Sequence, residues 1–247
     1  MKLAFIGGGM MGEAIATGVI GKKLASPSDI SVCEIVALRR EYLSNTHGVK
    51  TTDDAAMAAE GADLVILAVK PQEFADAAKS LAGSLDAAQT VMSIMAGVTI
   101  SSIQSTLKHD AVARAIPNTP AQIGEGMTVW TATSAVPDAS RKAITNILSV
   151  LGQEIYVSEE KYIDMATAVS SSGPAYIFLV IESMIDAAVH FGLRRDMAVP
   201  MVLQTVLGSA RYAQATGKTA AELRNQVTSP GGTSAISNRP SAAVTAK

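Results

Sequence analysis

Three glycines near the start of the chain, Gly7, Gly9 and Gly12, stand in the run Ile6-Gly7-Gly8-Gly9-Met10-Met11-Gly12. Each answers a different physical demand. The first makes a turn too tight for a side chain, the second leaves the backbone open to a pyrophosphate, and the third lets a helix approach a strand. A following helix offers unpaired N–H groups and a positive dipole end to the phosphates. Such a pattern also marks ordinary turns, so its placement matters. The apolar run from Lys2 to Ile6 precedes it and the alanine-rich segment from Glu13 to Ile20 follows it. That strand–turn–helix setting is the one a dinucleotide fingerprint requires.

Further groups stand at the ends of later strands. Glu34 lies near the end of a strand expected over Ile30 to Ile35, 22 positions after Gly12. An acid at about this distance takes the ribose hydroxyls of NAD and repels the extra phosphate of NADP. The competing reading is a surface carboxylate at the head of the next helix, so the choice of cofactor stays open between NAD and NADP. Arg39 and Arg40 on that helix could help hold a phosphate, but solvated helix charge is the favoured reading. The near-continuous apolar run from Ala62 to Val69 reads as a strand buried on both faces. It ends at Ala68-Val69-Lys70-Pro71. Ligands of open α/β sheets bind beyond the carboxyl ends of strands, which puts Lys70 where a cofactor would pass. Pro71 then opens the next helix at its first position. Another strand, Ala111 to Ile116, ends in the rigid polar turn Pro117-Asn118-Thr119-Pro120. Arg114 within it calls for a carboxylate partner or an edge position.

The elements that must hold these groups follow from pattern. Strands and helices alternate up to residue 158, which predicts a Rossmann-type, doubly wound and mainly parallel α/β sheet. From Glu159 onward only helices are expected: Lys161 to Ser170, Ala175 to Gly192, Asp196 to Thr216 and Thr219 to Val227. The expected organisation is therefore a dinucleotide-binding domain over residues 1–158 and a helical domain over 159–247. The chain has 247 residues, of which 48% are hydrophobic and 17% charged, as a folded protein requires. Its net charge of -2 invites neither nucleic acid nor an anionic membrane surface. The most apolar segment, Ala175 to Phe191, carries Glu182 and Asp186 and reads as a buried helix rather than a membrane span. A single cysteine, Cys33, excludes an internal disulfide and fits a cytoplasmic location. No metal site is expected, and none of His47, His109 and His190 stands out as a catalytic acid.

Taken in order with Ser172-Gly173-Pro174-Ala175-Tyr176 and Thr228-Ser229-Pro230-Gly231-Gly232-Thr233, the chain resembles pyrroline-5-carboxylate reductase, the last enzyme of proline biosynthesis. The resemblance runs from residue 1 to about 234, and the last two stretches are its most particular part. It implies a nucleotide-binding domain followed by a helical domain through which subunits pair as a homodimer or higher. It implies that Ile6, Gly7, Gly9, Met10, Met11, Gly12, Ala68, Val69, Lys70, Pro71 and Asn118 contact NAD(P)H. It places Ser172, Gly173, Gly231, Gly232, Thr233 and Ser234 around the substrate, with Ser172, Thr233 and Ser234 closest to catalysis. The residue types agree, because a carboxylate is met by backbone N–H groups of a glycine-rich turn and by neutral hydroxyls. Helix capping and turn formation are the plain alternative for these serines and threonines.

Two features depart from the family. Ser171 stands where a glycine is usual. The segment 235–247 lacks an apolar period and contains Pro240, where relatives continue with a long helix. Two other functions compete. One is a related imine or β-hydroxyacid reductase; the latter places a catalytic lysine on the first helix of its second domain, and Ser170 to Pro174 offers none. The other is a nucleotide-binding protein without turnover.

Overall fold

In chain order the elements are β1 (Leu3–Ile6), α1 (Met10–Gly21), β2 (Ile30–Cys33), α2 (Ala37–His47), β3 (Lys50–Thr52), α3 (Ala55–Ala59), β4 (Leu64–Leu67), α4 (Phe74–Leu81), β5 (Thr90–Ser93), α5 (Ile100–Leu107), β6 (Val112–Ile116), β7 (Gly126–Ala132), α6 (Asp138–Leu148), β8 (Gly152–Tyr156), α7 (Lys161–Ala166), α8 (Gly173–His190), α9 (Arg195–Thr216) and α10 (Ala220–Gln226). They come from a computed structural model that describes residues 1–230 and 232. The chain divides into two compact units, Met1–Tyr176 and Ile177–Lys247.

Alternation along the strands builds the first unit. Leu3 and Phe5 of β1 join a core with Ile15, Val19, Leu43, Ile66, Met92 and Ile144. Ala4 and Ile6 join another with Ala55, Leu67, Phe74, Val91 and Ile103. Side chains one residue apart on a strand point to opposite faces, so two cores mean helices on both sides. α1, α2 and α6 supply one layer and α3, α4 and α5 the other. The sheet order is β3-β2-β1-β4-β5-β6-β7-β8. It is parallel from β3 through β6, whereas β7 runs antiparallel to β6 and β8 parallel to β7. This is the doubly wound Rossmann-type sheet that the alternation of elements predicts, with its last two strands reversed. The order turns back between β1 and β4, and such a switch opens a crevice at the carboxyl ends of the strands.

The helix starts follow local chemistry. The Asp54 carboxylate accepts the N–H groups of Ala56 and Met57 at 2.8 and 3.1 Å and caps α3. Thr99 caps α5 by accepting from the Ser102 N–H at 3.2 Å. Arg114 is 1% exposed in the middle of the sheet, not at an edge. It donates to Glu160 at 2.7 Å and to Asp164 at 2.9 Å, which fastens α7 to β6. The strands therefore stop by residue 158, while the compact unit continues through α7 to Tyr176.

Between α7 and α8 the sequence suggests a broken helix at Ser170 to Pro174. The structure has instead a π-helical turn, Thr167–Ser171, inside a helical run from Lys161 to His190. The Ser172 N–H reaches back five residues to the Thr167 carbonyl at 2.9 Å, and the Ala175 N–H bonds to Ser172 at 3.1 Å. Pro174 has no N–H to place, and the widened turn absorbs it without ending the helix.

The second unit is helical, with a small cluster of Ile185, Ala198 and Val202 as its buried hydrophobics among the described residues. Here the expectation of a buried helix over Ala175 to Phe191 fails. Tyr176, Ile177, Phe178, Leu179 and Val180 are all exposed in the single chain. Composition correctly marks the segment as apolar, but the partner that burial requires is not in this chain.

Candidate cofactor and substrate site

A cleft of about 460 Å³ opens at the carboxyl ends of the central strands. Its walls come from the residues that follow β1, β2, β3 and β4: Gly7 and Gly9, Glu34 to Val36, Asp53, and Ala68 to Lys70. Ile6 lies at its floor and Ala77 and Ser80 of α4 at its side.

The glycines separate into distinct roles. Gly7 has φ +108°, and a Cβ there would lie 2.7 Å from the Ala68 carbonyl carbon. Only glycine turns the chain so closely against β4. A Cβ on Gly12 would lie 2.6 Å from the Gly7 carbonyl oxygen, so this glycine lets α1 sit on the turn. A Cβ on Gly9 would meet nothing within 4 Å. Gly9 thus borders open space beside the helix start, where a pyrophosphate needs it. No side chain caps α1, whose N-cap is Gly9. The first-turn N–H groups, those of Met10, Met11 and Gly12, are left to an anion. Met10 is exposed, whereas Met11 packs on the core below. Open space at Gly9, an uncapped helix start and an acid at the end of β2 fit a dinucleotide.

Glu34 sits directly after β2 with both carboxylate oxygens engaged. One accepts the Gly8 N–H at 3.1 Å and the other the Val36 N–H at 2.9 Å. Behind the turn stands a network that has no local signal in the sequence. Arg39 donates to the Gly8 carbonyl at 2.8 Å and pairs with Glu13 at 2.5 Å, and His47 bonds Glu13 at 2.7 Å. Burial alone would raise the Glu13 pKa, but the hydrogen bonds from His47 and Arg39 and the Arg39 charge outweigh it and hold the carboxyl below its ordinary value. The expectation of solvated charges at Arg39 and Arg40 is thereby corrected. Arg40 donates to the Glu34 and Ile35 carbonyls at 2.7 and 3.0 Å and pairs with Asp53 at 3.3 Å. Cys33 also lines the cleft, but burial, aided by the charges of Asp54, Glu34 and Asp53, pushes its thiol up to about 11. It stays protonated at neutral pH and is no nucleophile.

Lys70 is exposed at the cleft and Pro71 begins the 3-10 turn that leads into α4. Asn118 lies at the end of β6 and uses both halves of its amide on the protein. Its carbonyl oxygen accepts the Met127 N–H at 2.9 Å and its NH2 donates to the Ser170 carbonyl at 3.3 Å. The Ser171 hydroxyl donates to the Pro117 carbonyl at 3.4 Å. Together they pin the π-helical turn to the carboxyl end of β6. Because β6 is parallel to β1 and β4, this is the same sheet edge that carries the cofactor cleft. Ser172 and Gly173 follow at once, half-buried, and nothing lies within 4 Å of a Cβ on Gly173. Gly232 belongs to the second unit and closes a turn by donating to the Ser229 carbonyl at 3.0 Å. Gly231, Thr233 and Ser234 lie outside the described residues. Among the described residues no group of three His, Cys, Asp or Glu side chains gathers in metal-binding proximity.

Comparison with known proteins reaches both parts of the chain. Residues 160–237 match the family described as pyrroline-5-carboxylate reductase dimerisation, and residues 2–97 match the family described as NADP oxidoreductase, coenzyme F420-dependent. The pyrroline-5-carboxylate reductase of Synechocystis sp. is 42% identical, over 94% of this chain and 86% of its own length. The chain belongs to the pyrroline-5-carboxylate reductase family. A solved reductase of this name from Coxiella burnetii superposes with a TM-score of 0.87 at 36% identity, covering 96% of this chain and 88% of that one. The Plasmodium falciparum pyrroline carboxylate reductase, solved with NADP bound, gives a TM-score of 0.86 at 28% identity, over 96% and 87% of the two chains. The exposed apolar helices of the second unit fall within the dimerisation match, and the chain self-associates through this region.

Proposed function

We propose a division of labour among the residues of this chain for the reaction of its family. That reaction is the NAD(P)H-dependent reduction of 1-pyrroline-5-carboxylate to L-proline, the last step of proline biosynthesis. The reduced nicotinamide, when bound, supplies a hydride. The glycine turn from Ile6 to Gly12 and the α1 start hold the pyrophosphate, and Ala68, Val69, Lys70 and Pro71 line its path. Asn118 acts through position: with Ser171 it holds the π-helical turn at the edge where the cofactor lies. Ser172, Gly173, Gly231, Gly232, Thr233 and Ser234 recognise the substrate and its carboxylate, a role that rests on the two motifs in which they stand. The hydride adds to the C=N carbon and the π electron pair moves to the nitrogen. That nitrogen is already protonated in the reactive iminium, so the product is the neutral secondary amine of the ring. The hydroxyls of Ser172, Thr233 and Ser234 orient the carboxylate and the ring N–H, and no separate strong acid is needed. The protein's contribution is to hold two rings in register.

One observation carries this reading: Asn118 and Ser171 bind the Ser172 segment to the same carboxyl edge of the sheet on which the glycine turn opens its cleft. Functionally the domains divide near residue 158, with the helical part joining subunits and carrying the substrate motifs, and the site of action is the cytoplasm. Folded protein mixed with pyrroline-5-carboxylate and either NADH or NADPH should show loss of the reduced-nicotinamide absorbance. Folded protein that oxidises neither cofactor would exclude the reductase reading.

A further inference from the structure

The adenosine end of the cleft is more acidic than the fingerprint alone demands. Glu34 and Asp53 both line it, one at the end of β2 and the other just past β3. The Glu34 carboxylate lies against the glycine turn, bonded to the Gly8 N–H at 3.1 Å, and so faces the place where a dinucleotide's adenosine ribose rests. The cations nearby in sequence are already committed. The Arg39 guanidinium is spent on the Gly8 carbonyl and on Glu13. Arg40 is held by two main-chain carbonyls and by Asp53. Lys70 stands across the cleft after β4, on the other side of β1.

NADH and NADPH differ at one place, the ribose 2′ position, which carries a hydroxyl in one and a dianionic phosphate in the other. A hydroxyl can donate to the Glu34 carboxylate. A phosphate cannot, and it would set two like charges together in a partly enclosed cleft, where screening by salt is incomplete. We propose that Glu34 makes this chain an NADH-preferring reductase, with Arg40 a structural tie of the β2–α2 turn and not a phosphate ligand. The inference rests on the cofactor role of the cleft given above and adds which form of the cofactor it selects.

Equilibrium titration of the full chain with NADH and with NADPH, followed by nicotinamide fluorescence, tests it apart from turnover. NADH should bind about tenfold or more tightly than NADPH, and the gap should narrow as salt is raised, because the discrimination is charge repulsion. Glu34→Gln should bring the two dissociation constants to within about threefold, chiefly by tightening NADPH. Glu34→Asp, which keeps the charge, should retain most of the gap. Arg40→Ala should weaken neither cofactor selectively. Tighter binding of NADPH than of NADH, an unchanged ratio in Glu34→Gln, or a selective loss of NADPH in Arg40→Ala would each overturn the proposal while leaving the reductase reading intact. Folded protein that binds neither cofactor would overturn both.

Discussion

In the first unit the strands β1, β4, β5 and β6 are buried along their whole length, and helices cover both faces. In the second, Phe178, Leu179, Met201, Leu203 and Leu207 stand exposed around a cluster of only three buried hydrophobics among the described residues. Each side chain of that size, once fully buried, contributes about 1.5–3 kcal/mol. The first unit collects this from its own chain. The second collects it from another copy, as its dimerisation match requires. The contrast shows why composition alone misleads: both regions are rich in apolar residues, and only one is self-sufficient.

Perturbing each side separately tests this contrast. The largest effect should come from the joint between sheet and helices. Glu160→Ala combined with Asp164→Ala strands the buried Arg114 guanidinium and should cost about 3–5 kcal/mol in urea unfolding. A loss below about 1 kcal/mol would mean that the Arg114 contacts do not hold α7 to the sheet. Next, Leu179→Asp places a charge on the exposed face of α8. It should weaken the dimer about 30-fold or more by light scattering, with the NADH affinity of the first unit unaltered. A dimer of unchanged strength would remove α8 from the interface.

Within the cleft two glycines should part company. Gly7→Ala forces a side chain into a φ of +108° and against the Ala68 backbone, and should destabilise the fold by about 2 kcal/mol or more. Gly9→Ala meets no neighbour, so the fold should change by less than about 1 kcal/mol while cofactor affinity falls about tenfold. Unchanged cofactor affinity in Gly9→Ala would show that the open space at Gly9 has no cofactor role. The smallest effect concerns pH. Glu13 has a folded pKa below its ordinary value of 4.5, so the stability it contributes is complete above that value and fades as pH falls through the lowered one. Glu13→Gln should therefore flatten part of the acid limb of a stability–pH curve and leave the curve above neutrality parallel to that of the parent.

The sheet was legible because buried parallel strands write themselves as short apolar runs, as from Leu64 to Leu67. Strand direction was not, since a side-chain period of two is the same for β7 running either way. The glycine turn could be read because its three glycines form one spaced motif, although the backbone that Gly7 packs against is that of Ala68. Arg39 could not: it binds Gly8 and Glu13, 31 and 26 positions away, and a lone arginine on a polar helix looks the same as a solvated one. Ser170 to Pro174 misled for another reason. Glycine and proline usually end helices, and a π-helical turn that tolerates them leaves no compositional trace. Of the substrate turn, Gly231, Thr233 and Ser234 lie outside the described residues, so their reading still rests on motif.

The sparse core of the helical unit has a consequence for how the protein is made. The amino-terminal unit leaves the ribosome first and can close its sheet while α9 is still being translated. The helices that follow then wait with their apolar side chains in water until a second chain arrives. Maturation is therefore bimolecular: its rate rises with the amount of protein synthesised, and the unpaired chain is the species that chaperones and proteases meet.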